Sequence, residues 1–243
     1  MHLRIAVTTA VLALALVGSA AEAQQMTLTP LIGLGTLAQA DADPAFETRT
    51  LGQLQELKSN LGEQPYLLRK DRGPHAGRYA VFVTMPPGSG RTGIAYARAF
   101  PTVTQYQLLG ADGLGPLPAV DVLGVHYIKV RPDRQAEFDR FAAEKLNPAV
   151  GNLRPDLRFL YYKGVAGPQA GGYITIIAIT KASRDKYWPG GADSNDLKAA
   201  FTPEVQAVAT ELQPYLVEGT WGVNMAAQVY EAREWADWFV VER

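Results

Sequence analysis

The sequence predicts an α+β fold made of two β-α-β-β-α-β units in tandem, the first of them reduced. Three observations predict it. A heptapeptide recurs: residues 73–79, GPHAGRY, match residues 167–173, GPQAGGY, in five of seven positions at an offset of 94. Around the second copy, strand-period and helix-period segments follow one another in the order strand, helix, two strands, helix, strand. The strands there, Val122–Val130 and Tyr173–Thr180, are apolar at odd and even positions alike, the pattern of a sheet covered on both faces.

Composition sets the limits. The chain has 243 residues, 47% hydrophobic and 19% charged, with a net charge of -1. That much apolar surface excludes whole-chain disorder. A near-neutral chain has no basic field for phosphates, so nucleic acid is not an expected partner. There is no cysteine, which removes disulfides, thiolate metal sites and cysteine nucleophiles together.

Residues 1–23 read as a signal peptide: Arg4, the apolar run Ile5–Val17, and the small-x-small end Ala21-Glu22-Ala23. The run is too short to span a bilayer, which takes roughly 20 residues. Cleavage after Ala23 and an exported, periplasmic or secreted, soluble product are expected. The segment 24–43 follows, with Thr27–Leu37 readable as one strand or as a linker.

The first unit is expected over 44–118. Phe46, Thr50, Leu54, Leu57 and Leu61 make one apolar stripe on a helix from Pro44 to about Asn60. Tyr66–Lys70 and Arg78–Met85 form a hairpin around the first heptapeptide. Ile94–Ala99 reads as a reduced second helix, Thr102–Leu109 as the last strand, and Ala111–Pro118 as the linker.

The second unit, 119–243, is the fuller. The strand Val122–Val130 leads to a helix over Arg134–Leu146, which Pro148 and Gly151 end. The hairpin Leu157–Lys163 and Tyr173–Thr180 comes next. Ser183–Asp196 reads as irregular and Leu197–Leu216 as helical, with a break near Thr202. Gly219–Tyr230 reads as a strand, and Trp235–Val241 as a further strand or a packing tail.

This is the ferredoxin-like order. Its helices cover one sheet face, so the other needs a second sheet, from the other half or from another chain in a homodimer. The strand-helix opening His126-Tyr127-Ile128-Lys129-Val130-Arg131-Pro132, with Glu137, Phe138 and Phe141, and the later Tyr187-Trp188-Pro189-Gly190-Gly191, resemble the dimeric α+β barrel superfamily. Its members include antibiotic-biosynthesis monooxygenase-like, EthD-like and NIPSNAP-like proteins. The resemblance implies two sheets forming an α+β barrel, with a ligand cavity in each half, and names no substrate.

Candidate chemistry is sparse. Of three histidines, His2 leaves with the signal and His75 sits in a turn where the other copy has Gln169. His126 lies mid-strand and reads as a core residue or as a general base facing a cavity. There is no metal-binding histidine spacing, no nucleophile elbow and no phosphate loop. Asp193, Asn195 and Asp196 lack calcium-loop spacing and read as helix caps. Aromatic residues crowd the second half, and Tyr127, Tyr161, Tyr162, Trp188, Trp221 and Tyr230 are the expected ligand-binding set for a small hydrophobic or aromatic molecule. No cofactor is expected; a haem reading rests on the resemblance and His126 alone. The alternative is a non-catalytic module whose barrel is filled, with Ile174, Ile176 and Val130 occupying it.

Overall fold

Eight antiparallel strands close into one barrel. The computed structural model describes residues 26–37, 43–57, 63–70, 77–86, 96, 98–114, 117, 119–151, 156–187, 202–217 and the backbone of 236–240. In chain order the barrel strands are β1 (Leu31–Thr36), β2 (Gln64–Lys70), β3 (Tyr79–Met85), β4 (Thr104–Leu108), β5 (Val122–Ile128), β6 (Leu157–Ala166), β7 (Tyr173–Ile179) and β8 (Ala236–Val240). Around the barrel they run β8-β2-β3-β1-β4-β6-β7-β5 and return to β8. Numbering each set of four from its own start, both sets have the order 2-3-1-4.

The seams are β4 against β6 and β8 against β2, so the last strand of each set pairs with the second strand of the other. The sheet that covers the bare face therefore comes from the same chain, and no second copy is needed to close it.

The two hairpins are alike in detail. In the first, Arg69 faces Tyr79 and Tyr66 faces Phe82. In the second, Lys163 faces Tyr173 and Leu160 faces Ile176. Each residue of one lies 94 before its match. The turns agree too: Gly77 N donates to Lys70 O and Gly171 N to Gly164 O, both at 2.8 Å. Gly77 and Gly171 both have positive φ, 88° and 82°, a conformation in which a side chain is strained.

Three apolar cores result. The barrel interior holds Ile32, Leu34, Leu68, Phe82, Tyr106, Leu123, Val125, Leu160, Tyr162, Ile174 and Ile176, all buried. Eight strands enclose a space that side chains can fill. The second core lies between the first set and its helix α1 (Pro44–Leu57), around Leu54, Leu67, Val81 and Val83. The third lies between the second set and its helices, around Phe138, Phe141, Phe159, Tyr161, Tyr173 and Ile177. Val130 belongs to this third core and not to the barrel; it bridges to Leu216 just beyond β5.

Several expectations change. The Gly-rich segment before residue 44 holds β1, a central barrel strand. The helix over the second set does not stop at Pro148. It runs from α2 (Gln135–Phe141) through a π-helical segment, Ala142–Leu146, into α3 (Asn147–Gly151). In a regular helix the Pro148 ring would meet the Glu144 carbonyl; the wider π turn relieves that conflict. The stretch after Thr180 is not irregular at first, because α4 occupies Lys181–Tyr187. The last helix, α5 (Pro203–Glu211), starts afresh with Thr202 as its cap, its side chain accepting from Val205 N. The expected strand Gly219–Tyr230 lies outside the described residues. The segment near the C-terminus is a strand, β8, and not a tail. Among the described residues no helix is long and apolar enough to cross a membrane.

Candidate functional site

Strand alternation divides the expected site residues between two faces. On β5, Leu123 and Val125 enter the barrel while Val122 and Ile128 enter the helix-side core. Tyr127 therefore faces the barrel, at its rim, 45% exposed. His126 faces the helices and is 2% exposed. On β6, Tyr162 faces the barrel, and its hydroxyl donates to Thr29 O at 3.1 Å. Tyr161 faces the helices. His126 and Tyr161 share one face, Tyr127 and Tyr162 the other. The barrel is filled, and His126 does not line it. Trp188, Trp221, Tyr230 and His75 lie outside the described residues, as do Asp193, Asn195 and Asp196.

On the helix-facing side the register makes a polar row. His126 is opposite Thr175 on β7, and Thr175 is opposite Tyr161 on β6. All three are buried. Thr175 Oγ1 makes no hydrogen bond among the described residues. Sequence reasoning missed Thr175, because a threonine in an apolar strand reads as an ordinary strand former. The signal available was its position on the covered face, two residues after Tyr173.

The matching row of the first set is Gly35, Val81 and Leu67. It carries no polar side chain. A Cβ on Gly35 would lie 2.6 Å from Val103 N and Cα, so the backbone of that loop fills the place that the imidazole takes in the second set.

Aromatic rings wall the row. Phe138 sits 6.4 Å from Tyr161 and 4.9 Å from Tyr173, both edge-on. Phe159 is 5.5 Å from Tyr161, and Phe141 stacks on Tyr215 at 5.0 Å. At one end Tyr173 donates its hydroxyl to Asp139 Oδ1 at 2.7 Å, and Lys163 pairs with the other carboxylate oxygen. Burial, then the bond to Asp139, pushes the Tyr173 phenol well above its ordinary range. The row of imidazole, hydroxyl and phenol is thus packed under aromatic rings within the helix-side core.

Among the described residues the side chains fit neither a metal site nor a haem ligand. Among the described residues no group of three or more His, Asp or Glu side chains could hold a metal ion. An axial histidine for haem needs an opening as wide as a macrocycle. His126 sits mid-strand at 2% exposure, with the neighbouring ring layer closed by Phe138 and Tyr161. These residues do not fit haem.

No family model matches the chain, and no curated protein matches it. Among solved structures it is similar to an anthrone oxidase-like protein, at 12% identity over 91% of this chain and 93% of that chain, TM-score 0.45. It is similar also to a major regulator of staphylococcal pathogenesis, at 8% identity over 87% and 99%, TM-score 0.46. A chlorite dismutase variant from Candidatus Nitrospira defluvii matches at 11% identity over 86% and 91%, TM-score 0.44. The fold itself is read from strand order and register: an α+β barrel with two ferredoxin-like sets of strands.

Proposed function

We propose that the protein binds a small hydrophobic or aromatic molecule on the helix-facing side of its second half, over the row His126, Thr175 and Tyr161. One observation carries this reading. The second half buries a hydroxyl with no hydrogen bond among the described residues, where the first half has Val81. A buried, unsatisfied hydroxyl costs about 1–3 kcal/mol, and the first half shows that the same fold does without it. A polar atom kept at that cost in a ring-lined site is explained by a ligand that engages it.

The halves then divide the work. Residues 44–118, with β1, are scaffold; residues 119–243 carry the site, and the two descend from one duplicated unit. His126 supplies a proton acceptor at the bound molecule, which suits proton transfer without a metal. The filled barrel favours a structural role for that interior, with Ile174 and Ile176 as core residues. Residues 1–23 serve as a signal peptide, and the mature chain works outside the cytoplasm. N-terminal sequencing of exported protein should begin at Gln24; a start at Met1 contradicts this.

The test uses 1-naphthol as probe. Saturation-transfer NMR should show binding to the intact protein and a loss of about tenfold or more in affinity for His126→Ala. Equal binding by a folded His126→Ala removes the site.

A further inference from the structure

The polar row depends on β6 holding Tyr161 opposite Thr175, yet β4 stops pairing just before that point. Its last partner is Tyr162, opposite Leu108. The next main-chain groups on β6 are shared between Leu109 and a side chain. Asn147 Oδ1 accepts from Tyr161 N at 2.8 Å. Its Nδ2 donates to Tyr161 O at 3.1 Å and to Leu109 O at 2.6 Å. Leu109 N also donates to Tyr161 O, at 3.1 Å. Asn147 is fully buried, and both ends of its amide are engaged.

The π-helical segment delivers it. Asn147 is the residue directly after Ala142–Leu146, and its N–H reaches back to Ala142 O across the widened turn. Such turns occur frequently at functional sites. The connection between the halves presses on the same turn: Gly110, with φ +66°, lies where a Cβ would be 2.4 Å from Ala143 O. Among the described residues the first half has no counterpart: its helix α1 is regular over Pro44–Leu57, with no π-helical segment.

We infer that Asn147 is a positioning residue for the second-half site: its amide fixes the strand register at Tyr161, and through it the placement of Thr175 and His126. This rests on the site proposed above. The chain has three histidines, so the ring Cε1–Hε1 spectrum is simple enough to follow His126 alone. Asn147→Ser and Asn147→Ala should each shift the His126 signal and weaken 1-naphthol about tenfold. Leu54→Ala, in the first-half core, lowers stability without touching the amide and should move neither. In the unaltered protein, hydrogen exchange of the Tyr161 amide should slow on saturation with 1-naphthol, a readout that needs no variant. An unmoved His126 signal and unchanged affinity in a folded Asn147 variant, or Tyr161 exchange indifferent to the probe that binds, overturns the inference. If Thr175→Val also leaves 1-naphthol binding intact, the site itself fails; if it abolishes binding while the Asn147 readouts stay silent, only the positioning role fails.

Discussion

Tyr173 donates its hydroxyl to Asp139 at 2.7 Å, and Tyr79 donates to Glu47 at the same distance. Each carboxylate is shared with a cation from the neighbouring strand, Lys163 and Arg69 respectively. Each tyrosine ring also meets a phenylalanine from its helix, Phe138 at 4.9 Å and Phe46 at 5.0 Å. The strand members lie 94 apart and the helix members 92. The same four-residue tie fastens each helix to each hairpin.

The ties should act independently. Tyr79→Phe and Tyr173→Phe should each cost about 1.5–3 kcal/mol, the range for a hydrogen bond to a charged group. The double variant should show the sum to within about 0.5 kcal/mol. Urea unfolding with the slope held constant measures this. A double variant no weaker than either single one would contradict it.

High pH should undo the fold through its buried phenols. Burial, then the Glu63 charge, raises Tyr96 to about 12. Tyr79, Tyr106 and Tyr162 are raised as well, chiefly by burial. The unfolded value is 10.0, so the folded state favours the protonated phenol. That stability is present in full below pH 10 and is lost as pH climbs from 10 toward the folded values. Near-ultraviolet absorbance should show tyrosinate appearing late and together with unfolding. Full ionisation near pH 10 in a protein still folded by circular dichroism would contradict it.

Two glycine substitutions should have opposite signs. Gly52 lies mid-helix in α1 with nothing within 4 Å of a built Cβ. Gly52→Ala should stabilise by about 0.5–1 kcal/mol, since alanine has less backbone freedom to lose. Gly35→Ala pushes a methyl against the Val103 backbone and should cost about 1–3 kcal/mol, as overpacking does. Thermal melts of the two variants compare them directly.

The fold was largely legible because apolar period and turn chemistry are local. The heptapeptide at two places pointed to hairpins whose register proves the same at every pair. The alternation of His126 with Tyr127 correctly set them on opposite faces. What alternation does not reveal is which face is barrel and which is helix layer, since Val125 and Ile128 are equally apolar. Strand β1 was obscured because Gly33 and Gly35 dilute its pattern, and those glycines exist for neighbours far along the chain. The ties were invisible for a similar reason. Glu47, Asp139, Arg69 and Lys163 look like ordinary surface charge until the hairpin is laid against the helix. Pro148 misled because a proline ends a helix unless a π turn precedes it. Thr175 and Asn147 acquire meaning only from their partners across the sheet.

The central claim is that the second half keeps a buried hydroxyl for a ligand and not for the fold. Thr175→Val, which installs the residue that the first half carries, tests it most directly when stability and 1-naphthol affinity are measured on the same preparation. The account predicts a gain of about 1 kcal/mol in unfolding free energy together with a loss of binding of about tenfold or more. A variant that binds 1-naphthol as the unaltered protein does, or one that loses stability as though a structural hydrogen bond had been cut, would contradict it.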